Sequence, residues 1–480
     1  MFIKMKKYMF YPALVMVLML GSCELVEVEN PNVKEDRFIG SGNSAVEWTD
    51  GMRRQMSLMV ASNTEFTELV SDNYFNNYTA SSKVFDIPQI NFFDQDVANI
   101  QAGIHRTMEM CDYGLTKVLP ADAGSKPIQR AELLMYKAYA HLLAAELFVG
   151  MPATALGEVL SPEAHFNAAI ALLNDAQPLF TESNDRLVCA LLRARAHYGL
   201  GNAAQARTEA NTAIQNPLLL RQVLYGTTNG PGNGFQANIF TTSGANPFAP
   251  LPRLDFLDPK YFNTNPTAAL DQKPIAIAKA EEAYLIIAEA MVSSNDLSGA
   301  RTTLKNMLTE CVSKRATTSL SDKAETRNGG NKVYPVTAMK VKFDAASAEK
   351  DGYILNRQTG NITAYQVSGT KVTAAEIDAA NTQDGLLYLV YLLRQEIFMA
   401  EGRRMTDLGI RFPVSEREQL GNKNVTGAHT QAIIPSFIPR NREMDDFEIN
   451  TASGVVTMKH DMNKILVQNK TAPEVMPFIK

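Results

Sequence analysis

The side chains best suited to binding chemistry lie in a short polar and aromatic segment, residues 71–78. Its last five residues are Tyr74, Phe75, Asn76, Asn77 and Tyr78. Flat aromatic faces can stack on the C–H surface of a sugar ring, and planar amides both donate and accept hydrogen bonds. No apolar period runs through the segment, so we predict a loop whose five residues bind a ligand. The competing interpretation is that the rings pack on neighbouring helices, and the site then lies around Phe235 and Phe248.

Catalytic signatures are missing from the sequence. It contains no G-x-S-x-G elbow, no H-E-x-x-H helix and no C-x-x-C pair. The glycine-rich stretch 230–234 is interrupted by Pro231, which lacks the backbone N–H that a phosphate cradle would use. The histidines are far apart, and no two share a helical turn as a local metal pair. We therefore expect a protein that is not an enzyme and that uses no metal or cofactor.

The N-terminal residues indicate where the protein works. An apolar run from Met9 to Leu20 follows three lysines and leads into Leu20-Gly21-Ser22-Cys23. This layout is typical of a secretory signal, and the run is too short to cross a bilayer core of about 30 Å. The last four residues resemble the lipobox of bacterial lipoproteins, in which the cysteine becomes the lipidated first residue. We expect a signal peptide over 1–22 and lipidation of Cys23; the alternative is an uncleaved anchor.

Residues 23–42 are predicted to form an acidic, flexible tether. Glu24, Glu27 and Glu29 are followed by Pro31, and such a leader packs poorly. Acidic residues directly after a lipidated cysteine resemble the export signals of Bacteroidetes surface lipoproteins. This resemblance implies a protein that is attached to the outer membrane by lipid alone and faces the exterior.

Composition limits the remaining function classes. Hydrophobic residues make up 45% of the chain, charged residues 20%, and the net charge is −5. This is ordinary globular composition, and the absence of a basic-aromatic patch argues against a nucleic-acid partner. Beyond Cys23 the chain has Cys111, Cys189 and Cys311, an odd number that does not form a disulfide framework. We expect Cys111 and Cys189 to be buried thiols, while a single disulfide stays open.

Helical periodicity dominates the mature chain. The predicted fold class is mainly α, with tetratricopeptide-like helical hairpins as a scaffold, long irregular loops and a few short β-strands. Residues 43–480 are expected to form a single domain. Ser161 is the expected N-cap of one helix, because Pro162 follows it in the first turn. The predicted helices cover 43–70, 95–118, 128–149, 162–180 and 384–408.

A weak repeat underlies the hairpin prediction. Ala194 and Ala206 are separated by a turn, and Ala288 and Ala300 repeat the same spacing. Small residues are required where antiparallel helices touch closely, and the pattern resembles the tetratricopeptide repeat. Ordinary hairpins with alanine at their crossings are the alternative. The repeat-like helices cover about 95–217 and 278–312, and breaker-rich excursions cover about 218–277 and 313–384, the second with a few small strands.

The stretch 393–411 carries a family resemblance. Its Glu401, Gly402, Arg404 and Asp407 match a late signature of the SusD/RagB family. Further support comes from residues 283–290, which resemble the Y-L-x-x-A-E-A helix of the family, from 253–255, and from Ile438-Pro439. We interpret the signature as a structural hub. Gly402 inside a helix indicates close packing by another element. Arg403 lies one turn from Asp407 and could pair with it, while Arg404 could bind the carbonyls at a helix end.

The resemblance implies a function. SusD/RagB proteins are surface lipoproteins that cap a SusC-like, TonB-dependent outer-membrane transporter and deliver a nutrient to it, most often a glycan and in some cases a peptide. In such proteins the region before the helix that starts here near Asp94 commonly supplies stacking aromatics. The expected function is therefore oligosaccharide binding without catalysis. The alternatives are a peptide-capturing lipoprotein of the same family and a structural or assembly lipoprotein without a ligand.

Overall fold

The computed structural model describes residues 38–39, 41–76, 83–226, 230–240, 247–262, 271–321, 333–357, 360–441, 443–476 and 478. The predictions for the signal peptide, for Cys23, for most of the tether and for Asn77 and Tyr78 fall outside these residues. Within the described part, no helix combines the length and the apolar character that crossing a membrane requires.

Helices form most of the framework. The larger ones are α1 (Ser44–Val70), α3 (Gln95–Tyr113), α5 (Pro127–Leu147), α6 (Pro162–Ala176), α7 (Ser183–Gly199), α8 (Ala203–Ala213), α10 (Ala280–Ser293), α11 (Leu297–Asn306) and α13 (Gln383–Ile397). The short ones are α2 (Lys83–Asp86), α4 (Leu119–Ala121), α9 (Gly234–Ile239), α12 (Ala374–Ala379), α14 (Arg404–Asp407), α15 (Glu416–Gly421) and α16 (Met462–Gln468). Tighter or wider turns cover Gly114–Val118, Gln177–Leu179, Pro252–Tyr261, Met307–Cys311, Val312–Lys314 and Glu443–Asp445.

Strands are short and occur in small sheets. Antiparallel pairs join β1 (Tyr74–Asn76) to β5 (Phe248–Pro250), β2 (Met151–Pro152) to β3 (Val159–Leu160), β4 (Leu220–Val223) to β6 (Ile275–Lys279) and β7 (Thr317–Ser321) to β9 (Asn361–Tyr365). A three-stranded sheet has the order β10 (Phe447–Asn450), β11 (Val455–Met458), β8 (Lys340–Lys342). The predicted fold class, mainly α with a few short strands, is confirmed.

Helices α1 and α3 form an antiparallel hairpin. Met52, Met56 and Met59 bury the inner face of α1, as the apolar spacing requires. Trp48 near the start of α1 donates its ring N–H to the Met110 carbonyl near the end of α3. Because an α-helix rises about 1.5 Å per residue, the two ends of α1 are about 40 Å apart. The hairpin therefore separates the end near the tether from the end at which residues 71–93 begin.

The repeat-like helices pack as predicted. Ala194, Ala206, Ala288 and Ala300 are fully buried, on α7, α8, α10 and α11. The caps also agree with the sequence, since the Ser161 side chain accepts a hydrogen bond from the Ala164 N–H at the start of α6. Small side chains let these helix pairs approach closely, and the hairpins form the scaffold of the domain.

The helix predicted over 384–408 is wrong in its second half. Helix α13 ends at Ile397, and the chain turns through left-handed backbone at Ala400 (φ 63°) and Gly402 (φ 72°) before α14 begins. A Cβ at Gly402 would lie 3.0 Å from the Thr67 hydroxyl and 3.2 Å from the Thr64 Cα of helix α1. Gly402 is therefore closely packed, as predicted, but it lies in a left-handed turn against α1 and not inside a helix.

Candidate functional site

The described residues of the predicted ligand loop lie in the core. Tyr74, Phe75 and Asn76 form strand β1, which pairs with β5 in the register Tyr74–Pro250, Phe75–Ala249 and Asn76–Phe248. Each of the three is at most 3% exposed. The structure corrects the expectation of an open loop here, because strand pairing and packed rings cover these side chains. Their role in ligand binding stays a prediction, and burial argues against it.

The alternative aromatic site is also buried. Phe235 contacts the Tyr74 ring edge-on at 5.6 Å between centroids, and Phe248 is 3% exposed. Edge-to-face pairs of this kind add to the stability of a core. Neither ring presents a face to solvent, so burial argues against this alternative site as well.

The family signature forms a buried network of charged side chains. Arg404 contacts Asp72 at 2.6 Å, Arg394 contacts Asp407 at 2.7 Å, and Glu401 accepts from Lys279 at 2.8 Å. Burial alone would raise the pKa of Asp72, but the Arg404 guanidinium lowers that pKa below its usual range. These contacts join α13 and α14 to the end of α1. They agree with the interpretation of the signature as a structural hub.

Two expected contacts in this hub differ. Arg403 does not pair with Asp407; its guanidinium contacts Glu146 at 3.3 Å and Glu282 at 3.1 Å, because the turn at Gly402 rotates it away from α14. Arg404 binds a carboxylate and not the carbonyls at a helix end. The Gly402 N–H donates to Glu68 at 2.8 Å, and burial raises the pKa of Glu68 to about 7.

A histidine pair was missed by the sequence analysis. His141 on α5 and His165 on α6 lie with their Nδ1 atoms 2.8 Å apart, and His165 Nε2 lies 2.8 Å from the Met151 carbonyl oxygen. Burial lowers the pKa of His141 to about 3, so the pair is neutral. Among the described residues no group of three or more metal-ligating side chains is assembled. Tertiary packing creates this contact, and the sequence spacing carries no signal for it.

The three cysteines 111, 189 and 311 are buried free thiols. Burial raises the pKa of Cys189 to about 12, so its thiol is protonated at neutral pH. Buried, protonated thiols are inert towards oxidants and metals. The expectation of buried thiols at Cys111 and Cys189 is met.

A solvent-open cleft lies just beyond the predicted ligand loop, at the far end of the α1–α3 hairpin. We call it the proline cleft; its volume is about 390 Å³, and Ile87–Gln89, Ile434–Ser436 and Ile438–Asn441 supply its lining. Phe85 anchors the first segment through its ring contacts with Phe66 at 5.6 Å and Phe412 at 5.8 Å. Hydrogen bonds between Arg411 and Ile433 fix the second segment. Both segments of the cleft are thus tied to neighbouring parts of the fold.

Proline shapes the walls of this cleft. Pro88 and Pro435 are buried and Pro439 is half-buried, and all three restrict the backbone and remove N–H donors. The exposed apolar side chain of the lining is Ile434. The polar groups are at the rim, where Gln89, Ser436, Arg440 and Asn441 are exposed. Arg440 forms no ion pair with any described carboxylate, so its planar fork is free to bind a ligand. The volume is in the range of small-molecule sites.

A second, larger cleft lies along the first half of α1. We call it the arginine cleft; its volume is about 690 Å³, and Arg53, Arg54, Glu132, Arg221 and the rest of strand β4 line it. Residues 50–57 of α1 form one wall. The arginine cleft therefore lies near the tether end of the hairpin and the proline cleft near the opposite end.

Solved structures share this architecture at low sequence identity. A SusD-like carbohydrate binding protein from Bacteroides vulgatus is 13% identical, with a TM-score of 0.52 over 77% of this chain and 83% of the other. A SusD superfamily protein from Bacteroides thetaiotaomicron is 11% identical (TM-score 0.53, 80% and 97%), and one from Bacteroides vulgatus is 10% identical (TM-score 0.54, 81% and 99%).

The chain has the SusD-like fold. No protein-family model and no curated protein matches the sequence. The expectation drawn from the resemblance is confirmed at the level of the fold. The sequence analysis did not find the proline cleft: it marked Ile438-Pro439 only as a family segment and gave no role to Pro88 or Arg440.

Proposed function

We propose that the protein is a surface lipoprotein of the SusD/RagB family that binds a nutrient oligosaccharide in the proline cleft. In this proposal Cys23 carries the lipid anchor on the outer membrane, and a SusC-like, TonB-dependent transporter receives the ligand. The observation that carries the proposal is an open cleft of ligand size in a SusD-like fold, with an arginine that forms no ion pair among the described residues.

The chemistry of the cleft supports a polyhydroxylated ligand. The exposed side chain of Ile434 and the half-buried ring of Pro439 can pack against the C–H face of a sugar ring. The Gln89 and Asn441 amides and the Arg440 fork supply donors and acceptors at the rim, which suits adjacent hydroxyl groups. No described residue that lines the cleft is catalytic in type: the lining has no histidine, cysteine or carboxylate. Binding and release of an intact ligand is the function that this set can perform.

Peptide capture is the second candidate, and one observation favours it. The described lining of the proline cleft contains no aromatic ring, although glycan sites commonly use one for stacking. Aliphatic walls with a single free guanidinium also suit a peptide with a terminal carboxylate. Titration with oligosaccharides and with peptides distinguishes the two candidate functions.

Calorimetry on the signal-less protein with Cys23→Ser tests the proposal. The protein is titrated with panels of neutral oligosaccharides and of short peptides. We expect an oligosaccharide to bind, and Arg440→Ala to weaken that binding by about tenfold or more without a change in thermal stability. The matched control is Arg207→Ala, an exposed arginine on helix α8. Peptide binding with the same Arg440 dependence would favour the second candidate, and binding that ignores Arg440 would contradict both.

A further inference from the structure

The arginine cleft follows the main chain of strand β4. Five consecutive residues, from Leu220 to Leu224, line it. Successive side chains of a strand point to opposite faces, so contact with five in a row places the strand's edge in the cleft. Strand β6 pairs with β4 on one side, and no second strand lies beside β4 among the described residues. The remaining edge faces helix α1 across the cleft.

Helix α1 is tied to the end of this strand, which fixes the width of the cleft. The Ser57 hydroxyl donates to the Leu224 carbonyl at 2.8 Å, and the Tyr225 hydroxyl donates to the Ser57 carbonyl at 2.9 Å. An open edge of this kind offers a row of backbone donors and acceptors to an added chain. It is also held in place before any ligand arrives.

One buried carboxylate organises the arginines of the cleft. Glu132 contacts Arg53 at 2.7 Å and Arg221 at 3.6 Å, and the Tyr136 hydroxyl lies 3.3 Å from an Arg221 nitrogen. Arg54 is exposed and pairs with no carboxylate in the described part of the chain. The lining has three arginines against Asp50 and Glu132, and Arg221 also contacts Asp185 at 3.2 Å, so Arg54 is the lining cation that lacks a carboxylate partner among the described residues.

We propose that the arginine cleft is a second binding site, which takes an extended acidic peptide as an added strand on β4. The edge supplies main-chain hydrogen bonds, and Arg54 supplies the partner for a carboxylate. Four extended residues span about 13 Å, the same as the four residues of β4. An acidic oligosaccharide would satisfy the arginine but would not match the repeating donors and acceptors of a strand.

Binding of three tetrapeptides to the soluble mature protein tests this site. The probes are N-acetylated Val-Glu-Val-Glu, the same peptide with one central amide methylated, and Val-Lys-Val-Lys. We expect the acidic peptide to bind and to protect the amides of 220–224 from hydrogen exchange. Methylation and the exchange of glutamate for lysine should each weaken binding by about tenfold or more.

The variants separate this site from the proline cleft. Arg54→Ala should lower the affinity for the acidic peptide by about tenfold, while Arg207→Ala and Arg440→Ala should leave that affinity unchanged. Unaltered melting of Arg54→Ala confirms that it folds. The proposal is overturned if the acidic peptide fails to bind at about 1 mM, if methylation has no effect, or if trigalacturonate binds there more tightly than the peptide. Failure here leaves the oligosaccharide result at Arg440 standing.

Discussion

At the scale of single residues, buried charge holds the signature region together. Arg404 and Asp72 are each at most 1% exposed, and they join α14 to the end of α1. Taking such a pair out of water is expensive, and the pair is tolerated because each member satisfies the other. Removing one member of the pair therefore lowers the free energy of unfolding by much more than the pair contributes to it.

Arg404→Ala should lower the free energy of unfolding by about 3–5 kcal/mol, because it leaves the buried Asp72 carboxylate without its ion-pair partner. Urea unfolding followed by circular dichroism measures the change. Arg207→Ala is the control and should stay within about 0.5 kcal/mol of the parent. An unchanged midpoint for Arg404→Ala would show that the pair is not what joins these helices.

We expect the free energy of unfolding to depend on pH because of the buried carboxyl group of Glu289. Burial raises its pKa to about 7, although the Tyr198 hydroxyl and the Phe478 N–H donate to it. The native carboxyl holds its proton more tightly than the unfolded one, so this stabilisation is complete below about pH 4.5 and is lost as the pH rises through 7.

Glu289→Gln should therefore change the pH profile of stability. Relative to the variant, the parent should lose about 2 kcal/mol of unfolding free energy between pH 5 and pH 8. Paired chemical denaturation curves at the two pH values give this difference. A parent–variant difference that is the same at both values would mean that the Glu289 carboxyl titrates normally.

The residue scale is also where sequence reasoning failed. Tyr74 and Phe75 lie in a stretch without an apolar period, and nothing local shows that β5, far along the chain, covers them. The same holds for His141 and His165, which are brought together by the packing of α5 on α6. Contacts of long sequence separation have no signature in composition or spacing.

At the scale of elements, prediction succeeded where periodicity was long. Helices α1, α3, α5 and α6 begin within a residue or so of the predicted positions, because amphipathic patterns and caps are local properties. The failure after Ile397 has an equally local cause. Residues 393–408 keep a helical pattern, but the close approach of α1 favours a left-handed turn at Gly402.

Ala206→Leu tests the helix crossings. Ala206 is fully buried on α8, so the larger side chain should overpack the crossing and lower the free energy of unfolding by about 1–3 kcal/mol. Ala204→Leu on the exposed face of the same helix is the matched control. If both variants melt alike in calorimetry, the tight crossing between α7 and α8 is absent.

At the scale of the whole molecule, we propose a binding protein that is attached to the membrane by a lipid anchor. The lipobox-like Leu20-Gly21-Ser22-Cys23 predicts lipidation at the N-terminus, and α1 then separates the tether end from the proline cleft by about 40 Å. The fold class predicted from the sequence is confirmed, and the lipid anchor stays a prediction. The sequence could not locate the clefts, because each is lined by segments that are distant along the chain.

Cys23→Ser should release the protein from the membrane in its native host, because a lipid chain contributes about 0.8 kcal/mol of anchoring per buried CH₂. Palmitate labelling and cell fractionation measure the change, and Cys111→Ser serves as a control that keeps the anchor. Labelled, membrane-bound protein in the Cys23→Ser variant would disprove the anchor.

Hydrogen exchange with and without a bound oligosaccharide tests whether the nutrient binds in the proline cleft. The soluble mature protein is compared before and after saturation with the tightest ligand from the calorimetric panel. Binding in the proline cleft predicts slower amide exchange within 434–441 and at Gln89, with no change along 220–224. Protection confined to 220–224, or none in 434–441 at saturation, would contradict the assignment of nutrient binding to the proline cleft.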